Sequence, residues 1–237
     1  MDSRRFLAFV VAACGLSWGS APSHAGPILT DFFAAQPGVF DFRNGAVYGG
    51  CDNVFTCTVS EPGANGRQIT VEALGGGKLY RDDTDGFGIR GGEEDEVSGT
   101  ETLRLTIDGG WLLVGWAFTD LFPTPDGGAD GETARIEGFV GTPGAATSVF
   151  ALNHDALVPG DSNGELAISG QSFVIDFLEF TVPTAAQGNP GGASGEEFSV
   201  AGLGGQAIPA PEPAGLAIFG AGLAGFAAFA RRRRGRA

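Results

Sequence analysis

The chain has 237 residues, with 28 acidic against 14 basic side chains, a formal net charge of −14 and 41 glycines. An acidic chain of this kind is repelled by nucleic acid and by anionic membranes and attracts cations, which excludes a nucleic-acid-binding role. Of the two histidines, His24 lies in an N-terminal segment that reads as a removable signal, so His154 alone remains in the body and a multi-histidine zinc site is excluded.

Residues 1–25 read as a signal peptide for a signal peptidase. Arg4 and Arg5 form a positive n-region, FLAFVVAACGL an apolar h-region, and Ser23-His24-Ala25 a small-x-small cleavage site that leaves Gly26 first. A competing detail is Val11-Ala12-Ala13-Cys14, which has the shape of a lipoprotein box; cleavage there would leave a lipidated Cys14.

Beyond the signal only Cys51 and Cys57 remain, enclosed in GCDNVFTC. In an exported protein two cysteines at this spacing read as a disulfide closing a short loop with modest stabilisation, the alternative being two free thiols. The body that follows, residues 26–206, is long enough for one domain with a real core. Its apolar pattern alternates with period two rather than following a helix. Ile69, Val71 and Ala73 alternate with Thr70 and Glu72, and Leu103, Leu105 and Ile107 with Thr102, Arg104 and Thr106. Asp108-Gly109-Gly110 reads as a tight hairpin before WLLVGWAF (111–118), a run apolar on both faces. There Trp111 and Trp116, five apart, point to opposite faces, so Trp111 could offer a glycan-stacking surface unless both are buried. Further short strands follow at 134–140, 148–152, 166–168 and 173–180, with 198–203 closing the series after a Gly/Pro/Ala-rich stretch around residues 183–197. The expected fold class is all-β, a single antiparallel β-sandwich or jelly roll.

Acids crowd one part of this body. Asp82, Asp83, Asp85, Glu93, Glu94, Asp95, Glu96 and Glu101 lie within 20 residues, facing Arg81 and Arg90. Carboxylates held this closely repel one another unless they are solvated or neutralised, and a Ca²⁺ ion with oxygen ligands would neutralise them. Asp126-Gly-Gly-Ala-Asp130-Gly131 with Glu137 partly matches an EF-hand loop, but Gly128 stands at its third position, where Asp or Asn belongs, and the flanks read as strands. Candidate metal ligands are therefore Asp82, Asp83, Asp85, Glu93, Asp95, Asp126 and Asp130, set against the plainer reading of a solvated acidic face. His154-Asp155 suggests a base and its orienter, but no serine lies in a nucleophile-elbow context. Gly220-Ala-Gly222-Leu-Ala-Gly225 imitates a dinucleotide fingerprint without following a strand.

The C-terminus has three parts in fixed order. A linker over residues 207–213 ends in Pro211, Glu212 and Pro213; an uncharged run of 17 residues (214–230) follows; then come Arg231, Arg232, Arg233 and Arg234 within a basic tail, 231–237. As a helix the run covers about 25 Å, short but sufficient for a transmembrane span, and the arginines favour a cytoplasmic end. This order resembles the PEP-CTERM sorting signal of bacterial proteins handled by an exosortase. The resemblance implies export, transient membrane anchoring, cleavage near the triplet by an exosortase-type protease, and release to the cell surface or extracellular matrix. A second stretch, GFGIRGGEEDEVSGTETLRLTI (86–107), is similar to a pattern of extracellular PEP-CTERM proteins and implies a β-sandwich, with no catalytic residues. Residues 26–213 carry 27 acids and 7 bases, a net charge near −20. Three functions fit these features. The first is a non-catalytic exported surface or matrix protein; the others are a calcium-dependent module binding extracellular polysaccharide and a secreted hydrolase using paired carboxylates.

Overall fold

The computed structural model describes residues 28–90, 96–122, 132–156, 164–183 and 197–208; the expected signal peptide, membrane span and basic tail lie outside them. The described residues form a mostly antiparallel sheet of 12 strands, whose main path runs β4-β5-β12-β7-β11-β8-β9. These are β4 (Lys78–Asp82), β5 (Gly86–Arg90), β7 (Thr102–Thr119), β8 (Thr133–Val140), β9 (Thr147–Asp155), β11 (Phe173–Thr181) and β12 (Glu197–Ala207). Five strands lie off that path: β1 (Val39–Asp41) and β6 (Val97–Ser98) on β12, β3 (Arg67–Leu74) and β10 (Leu166–Ile168) on β7, and β2 (Thr56–Glu61) on β3.

Strand β7 organises the sheet. Its first half pairs with β3, from Leu74↔Thr102 to Ile69↔Ile107, and with the end of β11. Its second half pairs with β12, from Ala207↔Trp111 to Ser199↔Thr119, and with β10. Phe180 stands opposite Leu103, which a straight strand would separate from Phe118 by roughly 50 Å. Yet the rings of Phe118 and Phe180 lie 6.0 Å apart. The sheet therefore folds over on itself, and the core is what the fold encloses.

The bend falls where the sequence suggests a hairpin. Gly109 and Gly110 both take φ of 73°, and the register against β11 slips between Ile175 and Phe177. The chain does not turn back, because β11 and β12 bracket it on both sides; Asp108-Gly109-Gly110 is a bulge inside one 18-residue strand. The bulge also resets which residues face inward. Trp111 and Trp116 are both fully buried, Trp111 edge-on to Phe40 at 5.0 Å and Trp116 stacked on Phe150 at 5.9 Å. Neither offers a surface for a glycan.

From Gly115 to Thr119 the strand is buried on both faces. The outer face there is covered by a short helix, α1 (Ile28–Ala35), whose Leu29 and Phe32 pack on Ala117 and Ala201. These two residues, three apart, share one helical face, and Asp31 in the first turn suits the helix dipole. Pro37 disfavours helical backbone at Gln36, where α1 has stopped. Docking this close requires glycines beneath the helix. A Cβ at Gly202 would lie 2.7 Å from Phe33 Cε1, and one at Gly115 2.8 Å from Phe32 Cε2. Side chains there would overpack the contact, at a cost of roughly 1–3 kcal/mol each. The last strand, β12, is thus central rather than a closing edge. Its Gly202 admits the helix and its Gly205 the Trp111 ring, and β1, β5, β6 and β7 all pair with it.

Cys51 and Cys57 are joined by a disulfide with Cα atoms 5.3 Å apart, linking a 3₁₀ turn (Gly49–Cys51) to β2. The turn follows a one-turn helix, α2 (Gly45–Tyr48), capped by Asn44, whose side chain accepts from Ala46 N.

Candidate functional site

Of the candidate metal ligands, Asp82, Asp83 and Asp85 lie in the described turn between β4 and β5, whereas Glu93, Asp95, Asp126 and Asp130 fall outside the described residues. The turn gives its three aspartates different tasks. Asp82 Oδ1 accepts from the backbone N–H groups of Thr84 and Asp85, both at 2.7 Å, so it shapes the turn. Asp83 pairs with Arg81 at 2.6 Å. The Arg81 guanidinium is buried and also donates from Nε to Phe42 O at 2.9 Å and from Nη2 to Arg43 O, tying the turn to the chain after β1. A buried cation needs such partners, and Asp83 is the anionic one.

Asp85 is half-buried instead, and its neighbour is a residue that the sequence does not single out. Asp120 follows β7 with φ of 58°, a left-handed conformation in which Asp and Asn are enriched. Thr119 Oγ1 donates to Asp85 O at 2.8 Å and holds the two segments together. Burial pushes the Asp85 carboxyl up to about 7; the Asp120 and Asp82 carboxylates add to the shift, and Arg43 opposes it. Burial also raises Asp120 to about 6, helped by Asp82 and opposed by hydrogen bonds from Ser199 and Thr119. Two carboxyls in this state can hold a proton near neutral pH, and a cation could replace it. Among the described residues, however, no three acidic, histidine or cysteine side chains are grouped so as to hold a metal ion.

The other acids separate. Glu101 sits at the opposite end of β4, where a Cβ on Gly77 would lie 3.0 Å from its Oε1. Burial raises its pKa, while the backbone and hydroxyl of Ser98, both donating at 3.2 Å, oppose the shift. The eight acids of residues 82–101 therefore do not all converge, because β4 and β5 hold the turn at 83–85 away from the β6–β7 connection. His154 and Asp155 do not form a base with its orienter. Asp155 accepts from Thr133 Oγ1 at 2.9 Å, and His154 packs 5.4 Å from the Trp116 ring, where burial lowers its pKa against the pull of Asp155.

Three comparisons bear on identity. The PEP-CTERM protein-sorting motif matches residues 209–234, so the chain carries this motif over its C-terminal segment, including Pro211, Glu212, Pro213 and Arg231 to Arg234. No curated protein matches the chain. Among solved structures, a carbohydrate-binding module, CBM32-3 of a family 31 glycoside hydrolase from Clostridium perfringens, is similar at 14% identity. The overlap covers 52% of this chain and 79% of that one, with a TM-score of 0.31. A likeness at that level bears on neither ligand nor activity.

The raised carboxyls make a pH prediction. Asp85 and Asp120 bind a proton more tightly in the folded chain than in the unfolded one. The stability they contribute is complete below about pH 4 and is lost as pH rises through about 6 to 7. Asp120→Asn removes one charge, relieves Asp85 and suits the left-handed backbone. Thermal unfolding should show the variant melting a few degrees above the parent at pH 8, with a flatter profile between pH 5 and 8. Equal slopes for the two proteins would show that these carboxyls do not interact.

Proposed function

We propose that this chain is a non-catalytic exported protein whose β-sandwich is released to the cell surface or extracellular matrix after its C-terminal segment is removed. The observation that carries this reading is where the last described strand ends relative to the sorting motif. Strand β12 ends at Ala207, and the Ile208 carbonyl accepts from Arg67 Nη2 at 3.2 Å, immediately before the motif begins at residue 209. Cleavage near Pro211 would break no strand pairing of the described body. In this reading residues 1–25 are the signal peptide, 26–206 the sandwich, 207–213 the linker, 214–230 a transient membrane span and 231–237 its cytoplasmic tail. Among the described residues no helix is long and apolar enough to cross a membrane, and residues 214–230 lie outside them.

Mass spectrometry of the surface-exposed protein from its native host tests this directly. The mature chain should begin at Gly26, end near Pro211 to Pro213, and yield no peptide from residues 226–234. A mature surface protein that retains those residues would contradict release.

A second reading, a calcium-dependent glycan-binding module, draws on the half-buried Asp85 and Asp120, since a divalent cation would relieve the repulsion that raises their pKa values. Glu93, Asp95, Asp126 and Asp130 are the further ligands it would recruit. Binding to the folded state alone at a hundredfold excess over Kd would add about 2.7 kcal/mol, or about 5 °C or more in melting temperature. Millimolar Ca²⁺ should then raise the midpoint over EDTA, and Mg²⁺ at equal ionic strength should not. Equal shifts from both ions would reduce the site to a solvated acidic face.

A further inference from the structure

We propose that the disulfide-closed loop between Cys51 and Cys57, with the adjoining face of β4 and β5, is a binding site for a neutral polysaccharide. This rests on the exported-protein reading only for where such a polymer would be met.

Phe55 is the first observation. Its side chain is 56% exposed, more than any other large apolar residue described, in a body that buries Phe40, Phe42, Phe87, Phe118, Phe180 and Phe198 completely. The exposure does not come from a loose loop. Asn53 N donates to Leu79 O at 2.8 Å and Leu79 N to Val54 O at 2.7 Å, so the segment before Phe55 lines the edge of β4. Ala73 N donates to Phe55 O at 2.9 Å, fixing the residue itself to β3. The Cys51–Cys57 bond closes the loop from both sides. A phenyl ring kept in water on a backbone this constrained contributes little to folding, and a pre-ordered apolar face is what binding uses without an ordering cost.

The surroundings give the ring a polar frame. Lys78, the only lysine in the sequence, places Nζ 5.8 Å from the Phe55 centroid and donates to Asn53 Oδ1 at 3.3 Å. It has no carboxylate partner among the described residues, whereas Arg43, Arg81, Arg104 and Arg135 each have one. Strand register puts Arg90 opposite Lys78, and Tyr80, two residues on, shares the outward face. Arg90 lies 5.1 Å above the Tyr80 ring and reaches Asp52 Oδ1 at 3.4 Å. An apolar ring bordered by an ammonium, an amide, a carboxylate and a guanidinium matches a pyranose. The ring meets its C–H face, and the border donates to and accepts from neighbouring hydroxyls.

Charge selects the class of polymer. A chain of net charge −14 repels a polyanion, and within the patch Arg90 is already paired with the Asp52 carboxylate. Neutral sugars incur no such penalty. A ring on an exposed loop also suits an internal stretch of polymer better than a single buried sugar.

Affinity electrophoresis of the mature protein from its host, through gels containing a soluble β-glucan, a galactomannan, dextran or polygalacturonate, tests the site. At least one neutral polysaccharide should retard the protein. Phe55→Ala should weaken that retardation at least about tenfold and Lys78→Met by a smaller factor, with melting temperatures unchanged. Val174→Ala, which trims an exposed apolar residue on β11, should leave it unaltered. No retardation by any neutral polymer, retardation indifferent to Phe55→Ala, or retardation by polygalacturonate alone that salt abolishes would each overturn the proposal. Surface fractionation of the same variants reports separately on export, so a protein that reaches the surface but fails every gel contradicts this site and not the sorting.

Discussion

The fold depends on one strand belonging to both layers. β7 gives its first half to β3 and β11 and its second to β12 and β10, and the two glycines of its bulge let a single strand make the corner. Strand β11 pairs with β7 on both sides of the bend, with its register slipped at the bulge, so the sheet closes over a core. The contacts between Phe118 and Phe180 and between Trp116 and Phe150 exist only because of that corner. Replacing either glycine with a side chain would strain the left-handed backbone on which the corner depends.

The consequences reach both ends of the molecule. Where β7 ends, Thr119 and Asp120 meet the β4–β5 turn, and burial there collects two carboxyls that would otherwise stay in water. At the other end of β4, the disulfide loop bridges the edges of β3 and β4 and carries Phe55 outward. One end brings like charges together, and the other holds an exposed ring in a polar frame. They are built from the two ends of the same hairpin, β4–β5.

Much of this was legible in the residues. The alternation of Leu103, Leu105 and Ile107 marks β7, the spacing of Cys51 and Cys57 marks the loop, and the Pro-Glu-Pro triplet with its arginines marks the sorting motif. What was not legible depends on neighbours distant in sequence. Asp-Gly-Gly has the local chemistry of a hairpin, and both glycines take the positive φ that one would use, but flanking strands decide that the chain runs on. Helix α1 has two turns, too few to show a period, and is held by glycines some 90 and 170 residues away. Asp120 has no acidic neighbour in sequence; only the fold brings Asp82 and Asp85 to it. The sequence pattern places residues 198–203 last in the series but does not show that the missing side chain at Gly202 admits Phe33 of the helix.

The central claim is that the folded body is complete before the sorting motif begins, so that processing releases a finished domain. Thermal unfolding of two secreted chains, one ending at Ile208 and one at Pro213, tests it most directly. Both should melt in a single transition at the same temperature, because the described strand pairing ends at Ala207 and Arg67 Nη2 already holds the Ile208 carbonyl. A chain ending at Ile208 that melts several degrees lower, or in a broadened transition, would show that the motif segment belongs to the fold and contradict the account.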